Sequence, residues 1–479
     1  MNNDKQECGN DAGILRGCHT GCISISDLKK LNSNKITMHD DCIAAGSGSS
    51  TGSVVSMPGS RVKAPPNLKY ELVCTGCSSI YLEDRLKCDS DTALLRTNYT
   101  KKQLELKDVP GMGRFHDWLP VNDIIKTDSG PVSYKSTELA AELGLEKLYI
   151  SFNGYWPEKN AFIKTCSFKE LEAFPTIRKL MGSRSSLVLA SAGNTARAFA
   201  HVAAQKGVKV YIVVPSSGMA RMWIPEEPNE NIHLIKMGDN CDYTDSIHLA
   251  DRIASLPGMQ AEGGARNVAR RDGMGTVLLD SAVTMKRLPD HYFQAIGSGT
   301  GGIAAWETSL RLLSDGRFGR KLPQLHLAQN LPFAPMLNAW ESGRREIIKD
   351  IDMPHPKELI HEMYADILSN REPPYSVGGG VYDAMCATGG SMYGVTNNEA
   401  KSALGLFERL EGIDIFPPAA VAVAALVKAV ESGAVNKDDF ISLNITGGGF
   451  KRLEKDYTLY NIEPAAYAEN AKVPLDEII

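Results

Sequence analysis

The chain lacks a basic excess, a long apolar run and a cysteine framework, and each absence removes a class of function. Its 52 Lys and Arg are outnumbered by 57 Asp and Glu, for a formal net charge of -5. That balance cannot grip a phosphate backbone, so nucleic acid is not an expected partner. The longest apolar stretch, Ala419 to Val427, is about half of a bilayer span. The first residues, Met1-Asn2-Asn3-Asp4-Lys5, lead into polar sequence without the apolar segment of a secretory signal. A soluble, cytoplasmic protein with no membrane partner is expected. The 10 cysteines are scattered, crowding only near the N-terminus, which does not look like a disulfide framework. No tandem repeat of fixed period is found.

What is present suits a globular protein of more than one core. At 479 residues, two domains of ordinary size plus an extra segment are expected. Residues 1–65 are rich in Gly, Ser, Asn and Asp and include the run Gly46-Ser47-Gly48-Ser49-Ser50-Thr51-Gly52-Ser53, which buries too little to offset its ordering entropy. They are expected to form a flexible extension; their Cys8, Cys18, Cys22 and Cys42, with His19, match no standard metal spacing. Residues 66–130 form a knuckle-like segment. There Cys74-Thr75-Gly76-Cys77, Tyr81 and Cys88 resemble a zinc-knuckle half followed by a damaged second half, since Asp89, Ser90 and Asp91 follow where another cysteine would stand. A site closed by Asp91 and an empty relic both fit these letters, and no metal is assigned.

Across 131–479, strand and helix patterns alternate, the signature of a parallel sheet covered by helices, so a doubly wound α/β architecture is expected. Strands fit Leu187 to Ala190, Val208 to Val214, Ile232 to Met237, Tyr292 to Ile296, Leu325 to Gln329 and Ile441 to Ile445. Helices fit Thr195 to Lys206, Asp245 to Ser255, Ile303 to Leu313 and Val421 to Val430.

Three segments at strand ends carry chemistry. Gly297-Ser298-Gly299-Thr300-Gly301-Gly302 lies between a strand and a helix, where glycines let the backbone close round an anion and the helix N-terminus supplies amide donors. It reads as a phosphate cup. A tight turn explains the same letters, and Gly297, Gly299 and Gly302 also fit a dinucleotide fingerprint, although the next strand, Leu325-His326-Leu327-Ala328-Gln329, has no acid for a ribose. Ser191-Ala192-Gly193-Asn194-Thr195 is either a helix cap or a loop holding a carboxylate, with Asn194 placed to bond a cofactor oxygen. Thr446, before Gly447-Gly448-Gly449, either faces a ring nitrogen or simply ends a strand.

In this order, with Lys169 ahead of them, the segments resemble the pyridoxal-phosphate enzymes of the threonine synthase and cysteine synthase fold type. Thr165-Cys166-Ser167-Phe168-Lys169-Glu170 is similar to the threonine synthase pattern Thr-Gly-Ser-Phe-Lys-Asp, with Cys166 for Gly and Glu170 for Asp. Asn267 to Thr276 resembles that family's Asn-x-x-Arg-x-x-Gly-Gln-Lys-Thr segment, but Met274 and Gly275 replace Gln and Lys, which argues against threonine synthase itself. The closer resemblance is to the cysteate synthase family, threonine-synthase-like enzymes of coenzyme M biosynthesis. It runs from about Leu68 to the C-terminus through Gly154-Tyr155-Trp156-Pro157-Glu158, Glu262 to Asn267 and Asn444 to Arg452.

The resemblance implies a two-domain fold type II enzyme, tryptophan synthase β-like, with parallel-rich twisted sheets and flanking helices. It implies pyridoxal 5'-phosphate as cofactor, O-phosphoserine and sulfite as small-molecule substrates, L-cysteate and phosphate as products, and a homo-oligomer. Lys169 would form the Schiff base and then remove the α-proton. Gly297, Ser298, Gly299, Thr300, Gly301 and Gly302 would hold the cofactor phosphate, Asn194 its phenolic oxygen and Thr446 its ring nitrogen. The loop from Ser191 to Thr195 would take the substrate carboxylate. Two anionic substrates call for cations, with Arg266, Arg270 and Arg271 as candidates; Lys164 is a rival to Lys169. Threonine synthase, an O-phosphoserine sulfhydrylase and a non-catalytic dinucleotide-binding regulator are the alternatives.

Overall fold

The computed structural model describes residues 68–191 and 193–479, so the expected extension at 1–65 lies outside the described residues. Strands β1 (Tyr70–Cys74), β2 (Ile80–Tyr81) and β3 (Leu95–Tyr99) come first, followed by β4 (Val132–Lys135), β5 (Leu148–Phe152) and helix α1 (Lys169–Leu180). Next are β6 (Ser186–Ala190), α2 (Asn194–Lys206), β7 (Val210–Val214), β8 (Ile232–Met237), α3 (Tyr243–Ala254) and β9 (Met259–Ala261). The chain continues through α4 (Val268–Met285), β10 (His291–Ala295), α5 (Thr300–Asp315), β11 (Gln324–Asn330) and β12 (Ser391–Val395). Helix α6 (Pro417–Glu431) and strands β13 (Ile441–Ile445) and β14 (Ala466–Ala468) follow.

Two large sheets organise these elements. One runs β9-β6-β7-β8-β14 and is parallel throughout. The other runs β12-β11-β10-β13-β5-β4 and is parallel except for β4, which pairs antiparallel with β5. Helices on both faces explain why the central strands read as apolar runs, since every residue of β7 and β13 is buried. The two polar residues of β13 are satisfied internally: Ser442 pairs with Ser281 (2.8 Å) and Asn444 donates to Gln294 (2.9 Å). A small antiparallel sheet, β2-β1-β3, forms the knuckle-like region.

Local signals place the ends. Helix α2 stops at Gly207, which takes the left-handed conformation that glycine adopts freely. Helix α3 starts in a capping box between Asp242 and Asp245. Helices α1 and α4 pack so closely that a Cβ at Gly273 would overlap the Leu171 carbonyl. That approach brings the first turns of α1 and α4 together, and so sets the distance between Lys169 and Arg270.

Candidate active site

One cleft gathers residues that follow β6, β10 and β13, the carboxyl ends of strands from both large sheets. Open parallel sheets present ligands at that edge because strand ends and helix starts leave backbone donors there. Ser191, Asn194, Thr195, Gly297 to Gly301 and Thr446 line it together with Lys169 and Arg270. Gly302 lies one position deeper, where a Cβ would come within 2.9 Å of the Leu327 side chain. Lys164 is not among the lining residues and stacks over the Tyr457 ring at 4.9 Å, which leaves Lys169 as the amine of the cleft.

Lys169 is the first residue of α1, and its loop is tied down on both sides. Phe168 donates its amide to the Thr446 carbonyl (2.9 Å), and Gly448 donates to the Cys166 carbonyl (3.2 Å). Glu170 is buried beneath and accepts from the Thr165 amide and hydroxyl, both at 2.8 Å. Cys166 takes a positive φ of 50°. The resembled family has glycine there, the residue to which this conformation costs least.

Glu172, one turn along α1, is the principal residue that sequence reasoning missed. Its Oε2 lies 3.5 Å from Lys169 Nζ and makes no hydrogen bond among the described residues. Its Oε1 accepts from Arg270 (2.7 Å) and from the Thr195 hydroxyl (3.1 Å). The i, i+3 spacing on a helix was the available signal. Arg270 also donates to Glu262 (2.9 Å), so one guanidinium bridges two buried carboxylates.

Burial draws the Lys169 amine below the ordinary lysine range; Glu172 opposes that fall and Arg270 adds to it. Glu172 sits below the usual carboxylate range, because Arg270 and Lys169 outweigh the effect of burial. Glu262 sits above it, because there burial outweighs Arg270.

The three arginines prove unlike one another. Arg270 lines the cleft with both terminal nitrogens already engaged. Arg271 is not among the residues that line the cleft: it is fully buried, donates to Glu307 (2.9 Å) and also bonds the carbonyls of Ala265 and Leu95. Arg266 donates to the Thr92 carbonyl (3.1 Å) and lines an adjoining hollow with Lys87. That hollow shares Tyr243, Arg270, Ser298, Thr300 and Asn370 with the cleft. Tyr243, Gln294, Ser369 and Asn370 also line the cleft and carried no motif to announce them.

The cleft fits pyridoxal phosphate by its own chemistry. Helix α5 opens on Gly299, which has no side chain to cap it; the Thr300 amide faces the Ser298 hydroxyl (3.4 Å) and the Gly302 amide turns back to the Gly299 carbonyl (2.9 Å), so the Gly301 amide between them, with the hydroxyls of Ser298 and Thr300, can meet an anion. Gly299 has a φ of 79°, and a Cβ at Gly301 would overlap the Gln294 side chain, so this turn requires small residues. Arg197 donates to Asn194 Oδ1 (3.0 Å), which leaves the Asn194 amide NH2 for a ligand oxygen. Thr446 supplies a nearly buried hydroxyl at the end of β13.

Comparison with known proteins agrees. The family described as "Pyridoxal-phosphate dependent enzyme" matches residues 135–447. Cysteate synthase of Methanosarcina acetivorans is 62% identical over 412 residues, covering 86% of this chain and 99% of that protein. Cysteate synthase of Methanosarcina barkeri is 60% identical over 411 residues, covering 85% of this chain and 99% of its own. Cysteate synthase of Methanocella arvoryzae is 58% identical over 415 residues, with 86% and 99% covered. With its α/β fold of parallel-rich sheets, the chain is a pyridoxal-phosphate-dependent enzyme of fold type II and belongs to the cysteate synthase family.

Proposed function

We propose that the enzyme carries out a β-replacement, converting O-phospho-L-serine and sulfite into L-cysteate and phosphate. The observation that supports this reading is the meeting in one cleft of the Lys169 amine, the glycine-rich start of α5, Asn194 and Thr446, in a chain so similar to proteins named cysteate synthase.

Bound there, pyridoxal phosphate supplies a conjugated ring that withdraws electrons from the substrate α-carbon. The loop from Gly297 to Gly302 would hold its phosphate, Asn194 would meet its phenolic oxygen, and Thr446 would offer the ring nitrogen a neutral hydroxyl. Lys169 would hold the cofactor through its amine between turnovers. Its lowered pKa enlarges the neutral fraction of the free amine, the form that takes the α-proton. Glu172 stands where it can steady the resulting ammonium.

The bond from the β-carbon to oxygen breaks with its electron pair leaving on phosphate. A sulfur lone pair of sulfite forms the new bond at that carbon, and the proton on Lys169 returns to the α-carbon. In the loop from Ser191 to Thr195 the amides of Asn194 and Thr195 would receive the substrate carboxylate, since the Ser191 amide donates to Val213, the Gly193 amide to the Ser191 hydroxyl and the Thr195 hydroxyl to Glu172. With Arg270 shared between two carboxylates, Arg266 and Lys87 are the cations that remain to draw the two anions inward.

Purified enzyme incubated with O-phosphoserine and sulfite should release cysteate and phosphate in equal amounts. Threonine formed from O-phosphohomoserine with no cysteate would overturn the reading. So would a colourless protein that binds a nicotinamide dinucleotide.

A further inference from the structure

The knuckle-like segment carries a second site, independent of the cleft chemistry. Cys74 ends β1, Cys77 lies in the turn that follows, and Cys88 lies in the loop between β2 and β3. Their sulfurs all lie within 4.8 Å of one another, and those of Cys77 and Cys88 are 3.5 Å apart. A zinc–thiolate bond of about 2.3 Å places tetrahedral sulfurs roughly 3.8 Å apart, so the three need only small adjustments to share one ion.

The surroundings are built for negative sulfur. The Ser79 hydroxyl lies 3.1 Å from the Cys77 sulfur. The Ser90 amide (3.5 Å) and the Tyr81 hydroxyl (3.1 Å) face the Cys88 sulfur, while the Asp89 amide donates to the Tyr81 oxygen (3.0 Å) and fixes that ring in place. The turn that carries Cys77 back toward Cys74 closes through Ser78, with φ of 62° and its amide on the Cys74 carbonyl (3.0 Å). Donors converging on sulfur are the outer support that metal thiolates take. Three clustered thiols packed only for their apolar bulk would need none of it.

Asp91, the fourth ligand that the letters allowed, is not in the group. Its carboxylate lies against Gly76 and accepts the Ala93 amide (2.7 Å). We propose that Cys74, Cys77 and Cys88 bind one zinc ion as three thiolates, with water as the fourth ligand. Soft thiolate donors in a tetrahedral set favour zinc over the hard cations.

The segment this ion would pin is a wall of the hollow beside the active site. Leu86 packs against Gly263, Arg266 donates to the Thr92 carbonyl, and Thr75 donates to the Gly378 carbonyl (3.0 Å). Lys87, next to Cys88, faces that hollow. The ion would therefore act as a positioning device for the cleft rim, away from the reacting atoms.

Elemental analysis of the full-length protein should find one zinc per chain. Cys77→Ser and Cys88→Ser should each reduce zinc to the background of a metal-free control while keeping the visible absorption of bound cofactor, which shows that they fold. Asp91→Asn should keep the metal. Should the cysteine variants fail to fold, cobalt exchanged into the wild type should give the thiolate charge-transfer and ligand-field bands of a tetrahedral site. Wild-type protein without metal after zinc loading, zinc retained in the Cys77→Ser Cys88→Ser double variant, cobalt without thiolate bands, or a Cys77–Cys88 disulfide in the reduced preparation would each overturn the assignment. Zinc lost on Asp91→Asn would overturn the three-thiolate donor set.

Discussion

Arg270 and Arg271 stand side by side on α4, about 100° apart around its axis, and their surroundings differ in kind. Arg270 bridges Glu172 and Glu262 at the edge of the cleft, and Glu172 in turn faces the Lys169 amine. Arg271 turns toward the knuckle side, where Glu307 and two backbone carbonyls enclose it. Glu307 is shared with Arg96, which reaches it at 3.3 Å. The first network ends on the amine proposed to bind the cofactor, and the second ends on structure. Neighbouring buried arginines, each paired with a buried glutamate, can thus serve chemistry in one case and assembly in the other.

Five substitutions would break or sharpen that contrast. The largest effect is expected from Lys169→Ala, which should abolish the visible absorption of lysine-bound cofactor and lower kcat by about 10⁴-fold or more. Retained absorption would remove Lys169 from the centre of the cleft network.

Arg271→Met should act on stability. Breaking a buried pair from one side costs about 3–5 kcal/mol, readable as a lower urea midpoint, with kcat per folded molecule nearly unchanged. Glu307 is held below the usual carboxylate range because Arg271 and Arg96 outweigh burial. Its contribution is therefore fully present above the unfolded glutamate pKa of about 4.3 and lost as pH falls through the lower folded value. The wild type should lose that stability on acidification, and Arg271→Met should lose less of it.

Glu172→Gln and Arg270→Met should move chemistry in opposite directions. Glu172 raises the Lys169 pKa and Arg270 lowers it, so the pH profile for cofactor capture by apoprotein should shift to lower pH in the first and to higher pH in the second. Arg271→Met should leave that profile in place. Shifts of the same sign in both cleft variants would sink the proposed coupling. The smallest effect is expected from Cys166→Gly, where relief of the left-handed conformation offsets the loss of a buried side chain, leaving stability within about 1 kcal/mol in thermal unfolding.

The sequence carried the strands best where burial on both faces turns them into apolar runs, as in β6, β7 and β13. It carried the cleft in the turns after those strands, because glycine and small polar residues have few other uses there. Helix α4 was illegible for the opposite reason. Nearly all its residues are buried, charged ones included, so no polar stripe reveals its phase, and without a phase Arg270 and Arg271 look alike. Strand β12 is mostly half-buried and has no apolar run to mark it. The three cysteines were visible as letters, but the donors around their sulfurs, from Ser79, Tyr81 and Ser90, are brought together only by the folded chain.

The place of β13 has a consequence for how the enzyme is made. This strand lies between β10 and β5, so the larger sheet remains in two pieces until it is inserted. Its Ser442 meets Ser151 of β5 across 291 residues of chain. At about 5–20 residues per second, a ribosome takes roughly 15–60 s to cover that interval. Throughout it β5, joined in the second half by β10, waits with a bare edge, and the loop holding Lys169 lacks the Thr446 carbonyl that ties it down. Cofactor capture is thereby deferred until synthesis is nearly complete, so that a truncated product carries the lysine without the pocket that makes it useful.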